Sequence, residues 1–370
     1  MMMSGLLMAV LVLAFSNGAN DNFKGVATLF GSRTVGYRQA VWWAGATTFA
    51  GSLASVVLAE GLIHAFSGKG LVAASLTGRP SFLLAVGLGA ALTVLAATAW
   101  GLPVSTTHAL IGALVGAGLI MGGRVNAGRL GDTFFLPLAA SPFIALALTA
   151  LIYPALRWTR LRLGVERQMC LCVEDRVVET VQILPDGTGV LQSAGTKLTA
   201  AEMSHCRQQY RGRVFGFDAQ KILDRFHLLS AGLVGFARGL NDTPKIVALL
   251  AVGLGLGLTP EHAMGIVAAA MAVGGLLASR KVAATMSSGI TSMNHGQGFT
   301  ANMVTAFLVT VASRFGVPVS TTHVSCGSLI GLGALTGSAR WKMIGGIALA
   351  WVATLPLAAL MAAGVAVVIS

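Results

Sequence analysis

The chain alternates long apolar stretches with short polar breaks, a pattern typical of membrane-spanning helices. Several stretches are shorter than the ~20 residues that a complete crossing needs, and these lie beside polar motifs. The pattern predicts an all-α polytopic membrane protein in which some helices are discontinuous. The predicted apolar stretches are 6–30, 40–62, 82–100, 104–121 and 134–156, then 228–240, 246–258, 263–278, 301–314, 319–335 and 344–369.

Two polar motifs occur twice, in the same order in each half of the chain. The segments 18–24 and 239–245 read GANDNFK and GLNDTPK, and the segments 101–108 and 316–323 read GLPVSTTH and GVPVSTTH. The interval between the two motifs is similar in both halves. Duplicated polar clusters within apolar surroundings indicate a membrane transporter built from two structural repeats.

Composition supports a membrane protein. Of the 370 residues, 55% are hydrophobic and 10% are charged, and the mean hydropathy is +0.78. Soluble domains carry about 25% charged residues. The formal charge of +12 comes from basic residues at span ends and in one central segment, as orientation in a bilayer of anionic lipid requires. Membrane lipid is therefore an expected partner and nucleic acid is not.

The central segment differs from both halves because it holds eight of the thirteen acidic residues. We therefore predict three regions: a membrane repeat over 1–156, a small soluble insert over 157–225, and a second membrane repeat over 226–370. The insert contains a hairpin-like run at 177–191, and its excess of basic residues favours the cytoplasmic side. Its possible metal ligands match no familiar zinc spacing, so no metal site is predicted there. They are Cys170, Cys172, His205 and Cys206.

Asp21 and Asp242 lie in predicted membrane spans, where an ionisable side chain costs several kcal/mol and marks an ion or substrate path. The alternative is a carboxylate that only fixes packing. Asn20 and Asn241 add a carbonyl oxygen beside each carboxylate, which suits Na⁺ or a transferable proton.

Lys24 and Lys245 follow these aspartates by three positions, which places Asp and Lys on one helix face. The lysines either form internal ion pairs or attract an anion, and both interpretations stay open.

The Pro-Val-Ser-Thr-Thr-His motif predicts the start of a helix. Proline suits the first turn, hydroxyl residues cap it, and the free N–H groups bind anions. Ordinary hydroxyl packing is the alternative. The expected ligands of a tetrahedral oxyanion are Ser105, Thr106, Thr107, Ser320, Thr321 and Thr322.

His108 and His323 end the two copies. We interpret them as fixtures that orient the neighbouring threonines, with proton relay as the alternative. A Ser/His hydrolase would need an acid to orient the histidine, and the sequence places none near either copy. An enzyme is therefore not expected.

On these motifs the chain resembles the PiT family of inorganic phosphate transporters, over residues 18–118 and 239–333. The resemblance implies an inverted-repeat carrier, often a homodimer, that moves phosphate with Na⁺ or H⁺. Close relatives carry sulfate. If the family's functional residues are carried over to the matching positions, the Asn-Asp pairs at 20–21 and 241–242 would be cation and substrate ligands. The Ser-Thr-Thr runs at 105–107 and 320–322 would hold the oxyanion.

The family motif reads Gly-Ala-Asn-Asp-x-x-Asn, and Lys24 and Lys245 replace its last asparagine. A fixed ammonium can stand in for a bound sodium ion, so this departure favours H⁺ over Na⁺ as coupling ion. Na⁺ at the two Asn-Asp pairs is the alternative.

The sequence thus predicts a secondary active phosphate transporter of the cytoplasmic (inner) membrane that works by alternating access without a cofactor. A sulfate permease of the same family and an anion channel are the alternatives. Inverted topology requires an odd number of spans in each half, with the insert cytoplasmic and the N-terminus on the opposite side.

Overall fold

The computed structural model describes residues 2–168, 173–174, 179–183, 189–193, 197–198, 209–251 and 259–370. This part of the chain is mostly helical, which confirms the predicted all-α membrane architecture. The helices are α1 Met2–Asp21, α2 Ala27–Gly31, α3 Tyr37–Leu58, α4 Glu60–Phe66, α5 Pro80–Ala99, α6 Thr106–Gly122, α7 Ala127–Arg129, α8 Leu136–Arg162, α9 Ala219–Ala251, α10 Pro260–Ala278, α11 Arg280–Ala284, α12 His295–Arg314, α13 Thr321–Thr336 and α14 Trp341–Ile369.

Short strands lie between α8 and α9. They are β1 Glu166–Gln168, β2 Val173–Glu174, β3 Glu179–Ile183, β4 Gly189–Ser193, β5 Lys197–Leu198, β6 Gln209–Arg211, β7 Arg213–Val214 and β8 Phe217–Asp218. The strands pair antiparallel as β1 with β6, β2 with β5, β3 with β4 and β7 with β8.

Six helical stretches among the described residues are long and apolar enough to cross a membrane, and α6 is a shorter apolar helix. The chain is therefore a multi-pass membrane protein. The six stretches are Met2–Gly25, Tyr37–Leu58, Pro80–Ala99, Ala127–Arg162, Pro260–Ala278 and Trp341–Ile369.

The helices pack both on helices of their own half and on helices of the other half. Helix α1 packs on α5 and on α10 of the other half, and α9 packs on α12 and on α3. Likewise α6 packs on α14, and α13 packs on α8. The helices therefore interlock across the halves.

The Asn-Asp motif breaks the helix in only one half. Helix α1 ends at Asp21, and a 3₁₀ turn over Asn22–Gly25 leads into α2. Helix α9 instead runs from Ala219 to Ala251 with Pro244 inside it. The prediction of separate stretches at 228–240 and 246–258 is therefore wrong in the described part. One proline removes a single N–H, and membrane helices tolerate that loss.

Helix α8 continues to Arg162 and α9 begins at Ala219, so both helices extend into the range 157–225 predicted for the insert, whose bounds stay a prediction. The predicted hairpin is present as the antiparallel pair of β3 and β4. Four candidate ligands of the insert lie outside the described residues: Cys170, Cys172, His205 and Cys206.

Glycines spaced as Gly-x-x-x-Gly let two pairs of helices approach closely. The pair on α6 faces the backbone of α14, and the pair on α13 faces the backbone of α8. On α6, a Cβ added at Gly112 would lie 2.2 Å from the carbonyl oxygen of Leu355, and one added at Gly116 would lie 2.0 Å from that of Ala359. On α13, a Cβ added at Gly327 would lie 2.3 Å from the carbonyl oxygen of Pro142, and one added at Gly331 would lie 2.8 Å from that of Leu146.

We expect Gly116→Ala to lower the thermal stability of the purified protein, because its methyl group would overlap the backbone of α14. Overpacking of this kind costs about 1–3 kcal/mol. A shift of the unfolding midpoint in detergent measures the effect. Gly364 on α14 has open space around it, so Gly364→Ala is the control and should leave the midpoint unchanged or raised. Equal midpoints for Gly116→Ala and the parent protein would contradict the packing argument.

Candidate functional site

The two copies of both motifs meet in one buried cluster between the halves. The structure brings together all twelve asparagine, aspartate, lysine, serine and threonine side chains that the sequence singled out, and none is more than 4% exposed. They are Asn20, Asp21, Lys24, Ser105, Thr106, Thr107, Asn241, Asp242, Lys245, Ser320, Thr321 and Thr322.

Helices α6 and α13 begin inside this cluster. Ser105 accepts the N–H of His108 at 3.1 Å, and Ser320 accepts the N–H of His323 at 3.3 Å, so both serines are N-caps. The threonines that follow contribute N–H groups that a helix start leaves without an intrahelical acceptor. Both helix starts therefore direct donors and a positive dipole end into the cluster.

The prolines of the motif do not lie in the first helical turn as predicted. Pro103 precedes the start of α6 by three residues, within non-helical backbone. Asn20 explains the difference. Its amide donates to the carbonyl of Leu102 at 3.0 Å, and its oxygen accepts the N–H of Val104 at 3.1 Å. These bonds to α1 hold the segment outside the helix.

Lys24 forms the centre of the first half-site. Its ammonium pairs with Asp21 and also donates to Thr322 of the other half. It donates further to the carbonyl oxygen of Val104 at 2.9 Å and to the side-chain oxygen of Asn20 at 3.2 Å. Four oxygens of four chemical types thus surround one fixed cation.

Lys245 occupies the matching place in the second half-site. Its ammonium donates to the hydroxyl of Thr107 at 2.8 Å and to the carbonyl oxygen of Val319 at 2.7 Å. Asp242 lies 3.6 Å from it. Each lysine therefore pairs with its own aspartate and reaches a threonine of the opposite half, as the three-residue spacing predicted for the pairing.

The two motif asparagines bond to protein atoms in matching ways. The amide of Asn20 donates to Thr98 at 2.9 Å, and Asn241 accepts a hydroxyl from Ser313 at 3.2 Å. The amide of Asn241 also donates to Asp242 at 2.9 Å and to Thr321 at 3.2 Å. Both asparagines thus fasten the half-sites to neighbouring helices.

Sequence reasoning missed Asn17 and Arg238, which precede the two aspartates by four positions. The amide of Asn17 donates to Asp21 and to Asp242, each at 3.2 Å. The guanidinium of Arg238 donates to Asn17 Oδ1 at 2.6 Å and lies 3.8 Å from Asp242. An arginine inside an apolar stretch, one helical turn before Asp242, was the signal available.

Arg238 changes the charge balance of the site. It is fully buried, and its Nε–H donates to no protein atom. With Lys24 and Lys245 it makes three cations against the two aspartates. The ionised site therefore has a net charge of about +1 before a ligand enters, and a buried unbalanced charge favours binding of an anion.

His108 and His323 lie behind the threonines, with ring centroids 4.7 Å apart. The ring of His323 stacks on Trp351 at 4.0 Å, and its Nδ1 lies 3.1 Å from the carbonyl oxygen of Leu138. Trp351 donates to the carbonyl of Pro103 at 3.1 Å. The histidines thus pack between the half-sites, and their predicted effect on the threonines stays a prediction.

Residues 17–362 match the phosphate transporter family. The chain belongs to this family. Its sequence is 30% identical to a probable low-affinity inorganic phosphate transporter of Rhizobium meliloti, over 97% of this chain and 94% of that protein. It is 26% identical to a putative phosphate permease of Pyrococcus abyssi, over 95% of this chain and 94% of that protein.

The fold has a solved counterpart. A structure described as the sodium-dependent phosphate transporter superposes with a TM-score of 0.75 and 22% sequence identity, over 99% of this chain and 98% of that chain. Membership of the phosphate transporter family confirms the recognition from the duplicated motifs and supports phosphate transport. It also agrees with the expectation of a carrier and not an enzyme.

Proposed function

We propose that this member of the phosphate transporter family carries inorganic phosphate by alternating access between two inverted repeats. One observation supports this most directly: each lysine bonds to a threonine of the opposite half. The site is therefore divided between the halves, and a relative movement of the halves would open it on one side at a time.

Phosphate would enter between the two helix starts. The N–H groups and hydroxyls of Thr107 and Thr322 face it from α6 and α13, and the three buried cations balance its charge. Lys24 and Lys245 would exchange their bonds to threonine for bonds to phosphate oxygens. Asp21 and Asp242 would accept hydrogen bonds from the O–H that phosphate still carries at neutral pH.

For coupling we propose H⁺ rather than Na⁺. The structural counterpart is described as sodium-dependent, whereas here an ammonium fills an all-oxygen position in each half. A cation that the chain supplies removes the need for one from solution. A proton on either aspartate would raise the charge of the site from about +1 to about +2, which matches the two negative charges of HPO₄²⁻ in the loaded carrier.

Uptake of radiolabelled phosphate into proteoliposomes tests this function. A carrier gives saturable uptake and accelerated exchange when unlabelled phosphate is loaded inside. An anion channel with the same lining would give flux without saturation or counterflow, and that result would overturn the proposal. Empty liposomes and protein carrying Thr107→Val with Thr322→Val serve as controls.

Unlabelled phosphate should inhibit labelled uptake more strongly than sulfate at the same concentration. The O–H of phosphate donates a hydrogen bond to Asp21 or Asp242, whereas sulfate has no donor and a bare carboxylate repels it. Loss of one charge-assisted hydrogen bond corresponds to roughly a ten-fold weaker competitor. Stronger inhibition by sulfate would instead identify a sulfate permease.

The proposed topology places the insert in the cytoplasm and the N-terminus on the other side. A single cysteine introduced at Gly195, in a chain without its native cysteines, should react with an impermeant maleimide in inside-out vesicles only. A cysteine introduced at Met2 should react in right-side-out cells only. Labelling at 195 from the outside would reverse the assignment.

A further inference from the structure

A second polar cavity of about 780 Å³ lies at the end of the molecule where α8 ends and α9 begins. Thr336, near the end of α13, is one of its lining residues. Thr322 of the central site is fourteen residues earlier on the same helix, which corresponds to about 21 Å along the axis. The cavity is therefore separate from the proposed transport site.

Four arginines line this cavity, and no described lining residue is acidic. They are Arg33, Arg157, Arg160 and Arg340. Within the part of the chain that the structure describes, the last three form no ion pair. The nearest acid on α9 is Asp224, whose carboxylate lies 2.5 Å from the ring of His295. The described lining of the cavity thus concentrates positive charge and holds no acidic residue.

Arg160 carries the strongest indication of a ligand. Its Nη1 is buried and donates to no protein atom, which costs free energy unless a ligand or water accepts the bond. The guanidinium lies over the ring of Tyr210 at 5.3 Å, and the Tyr210 hydroxyl donates to Asn294 at 2.9 Å. A guanidinium held over an aromatic ring keeps N–H groups at its edge that can donate to an oxyanion.

Hydroxyl groups and apolar side chains complete the lining. Leu156 and Phe226 line the cavity and are 37% and 54% exposed, so apolar surface is accessible beside the arginines. Serine and threonine hydroxyls also line the cavity: Ser287, Ser288, Ser292, Thr336 and Ser338.

We propose that this cavity binds the phosphate group of a second ligand, distinct from the transported anion. Paired arginines and hydroxyls suit the oxygens of a phosphate monoester or diester. Two sources have this chemistry: the headgroup of an anionic phospholipid, whose acyl chains would pass Leu156 and Phe226, and a free phosphate compound.

The lipid source is tested by native mass spectrometry of the full chain in detergent with phosphatidylglycerol or phosphatidylcholine. One bound phosphatidylglycerol is expected, with occupancy lowered roughly ten-fold in Arg160→Gln, as loss of a charged hydrogen bond predicts. Ser292→Trp fills the cavity without removing charge and should have the same effect. Arg162 lies on the same helix but outside the lining, so Arg162→Gln is the matched control and should retain lipid.

The free-phosphate source is tested by calorimetric titration of the delipidated protein with glycerol 3-phosphate. Binding that disappears in the double variant Arg157→Gln/Arg340→Gln but persists in Arg162→Gln supports this source. Binding in either arm with this pattern of variants supports the proposal. No binding in both arms, or an equal loss in Arg162→Gln, overturns it. Neither arm measures transport, so failure here leaves the proposed function untouched.

Discussion

Replacing Asp21 by asparagine should lower net phosphate uptake by roughly 100-fold or more. The carboxylate pairs with the buried ammonium of Lys24 and accepts hydrogen bonds from Asn17 and Thr106. Without it, the empty carrier must reorient with an uncompensated buried charge, which costs about 3–5 kcal/mol. Every 1.4 kcal/mol corresponds to a factor of ten. Initial rates in proteoliposomes measure the change.

A double variant separates two reasons for this loss. Asp21→Asn with Lys24→Met removes both charges, so it should recover stability in detergent. If Asp21 only neutralises Lys24, the double variant takes up phosphate as fast as Lys24→Met alone. If Asp21 also accepts a hydrogen bond from the substrate, as proposed, the double variant is slower than Lys24→Met alone. Glu60 is exposed on α4, and Glu60→Gln is the control for loss of one acid. Wild-type uptake by Asp21→Asn alone would remove the aspartate from the mechanism.

The duplicated motifs allowed the site to be predicted because both copies kept the same residue types. Composition and apolar length were sufficient for the membrane architecture. The contacts across the halves, such as that of Lys24 with Thr322, depend on tertiary packing and leave no local signal in either segment. The sequence could therefore predict which residues belong to the candidate site, but not which of them contact each other across the two halves.

Arg238 and Asn17 escaped prediction because these matched positions hold different residues, so identity between the two copies does not point to them. The prediction of a helix break at the second Asn-Asp motif was wrong for a related reason. Both motifs look alike locally, but α1 ends at Asp21 while α9 continues past Asp242 and through Pro244. Proline at 244 was no reliable sign of a break, since neighbouring membrane helices can compensate for one lost hydrogen bond.

The largest qualitative change should follow from replacing both site lysines. In the parent protein, uptake with Na⁺ replaced by choline should equal uptake in Na⁺, because each ammonium already fills a position surrounded by oxygens. Lys24 contacts a carboxylate, an amide oxygen, a carbonyl and a hydroxyl. Oxygen ligands of these types are those that bind hard cations.

The double variant Lys24→Asn/Lys245→Asn should therefore transport only when Na⁺ is present. Asparagine is shorter than lysine and leaves both the oxygens and the space of the ammonium. Uptake measured over a series of Na⁺ concentrations gives the dependence. Lys69→Asn/Lys281→Asn removes two exposed lysines and should leave uptake independent of Na⁺. If uptake by the parent protein collapses in choline, the lysines do not replace sodium and the proposal of H⁺ coupling is wrong. That result would not contradict the proposal that the site binds phosphate.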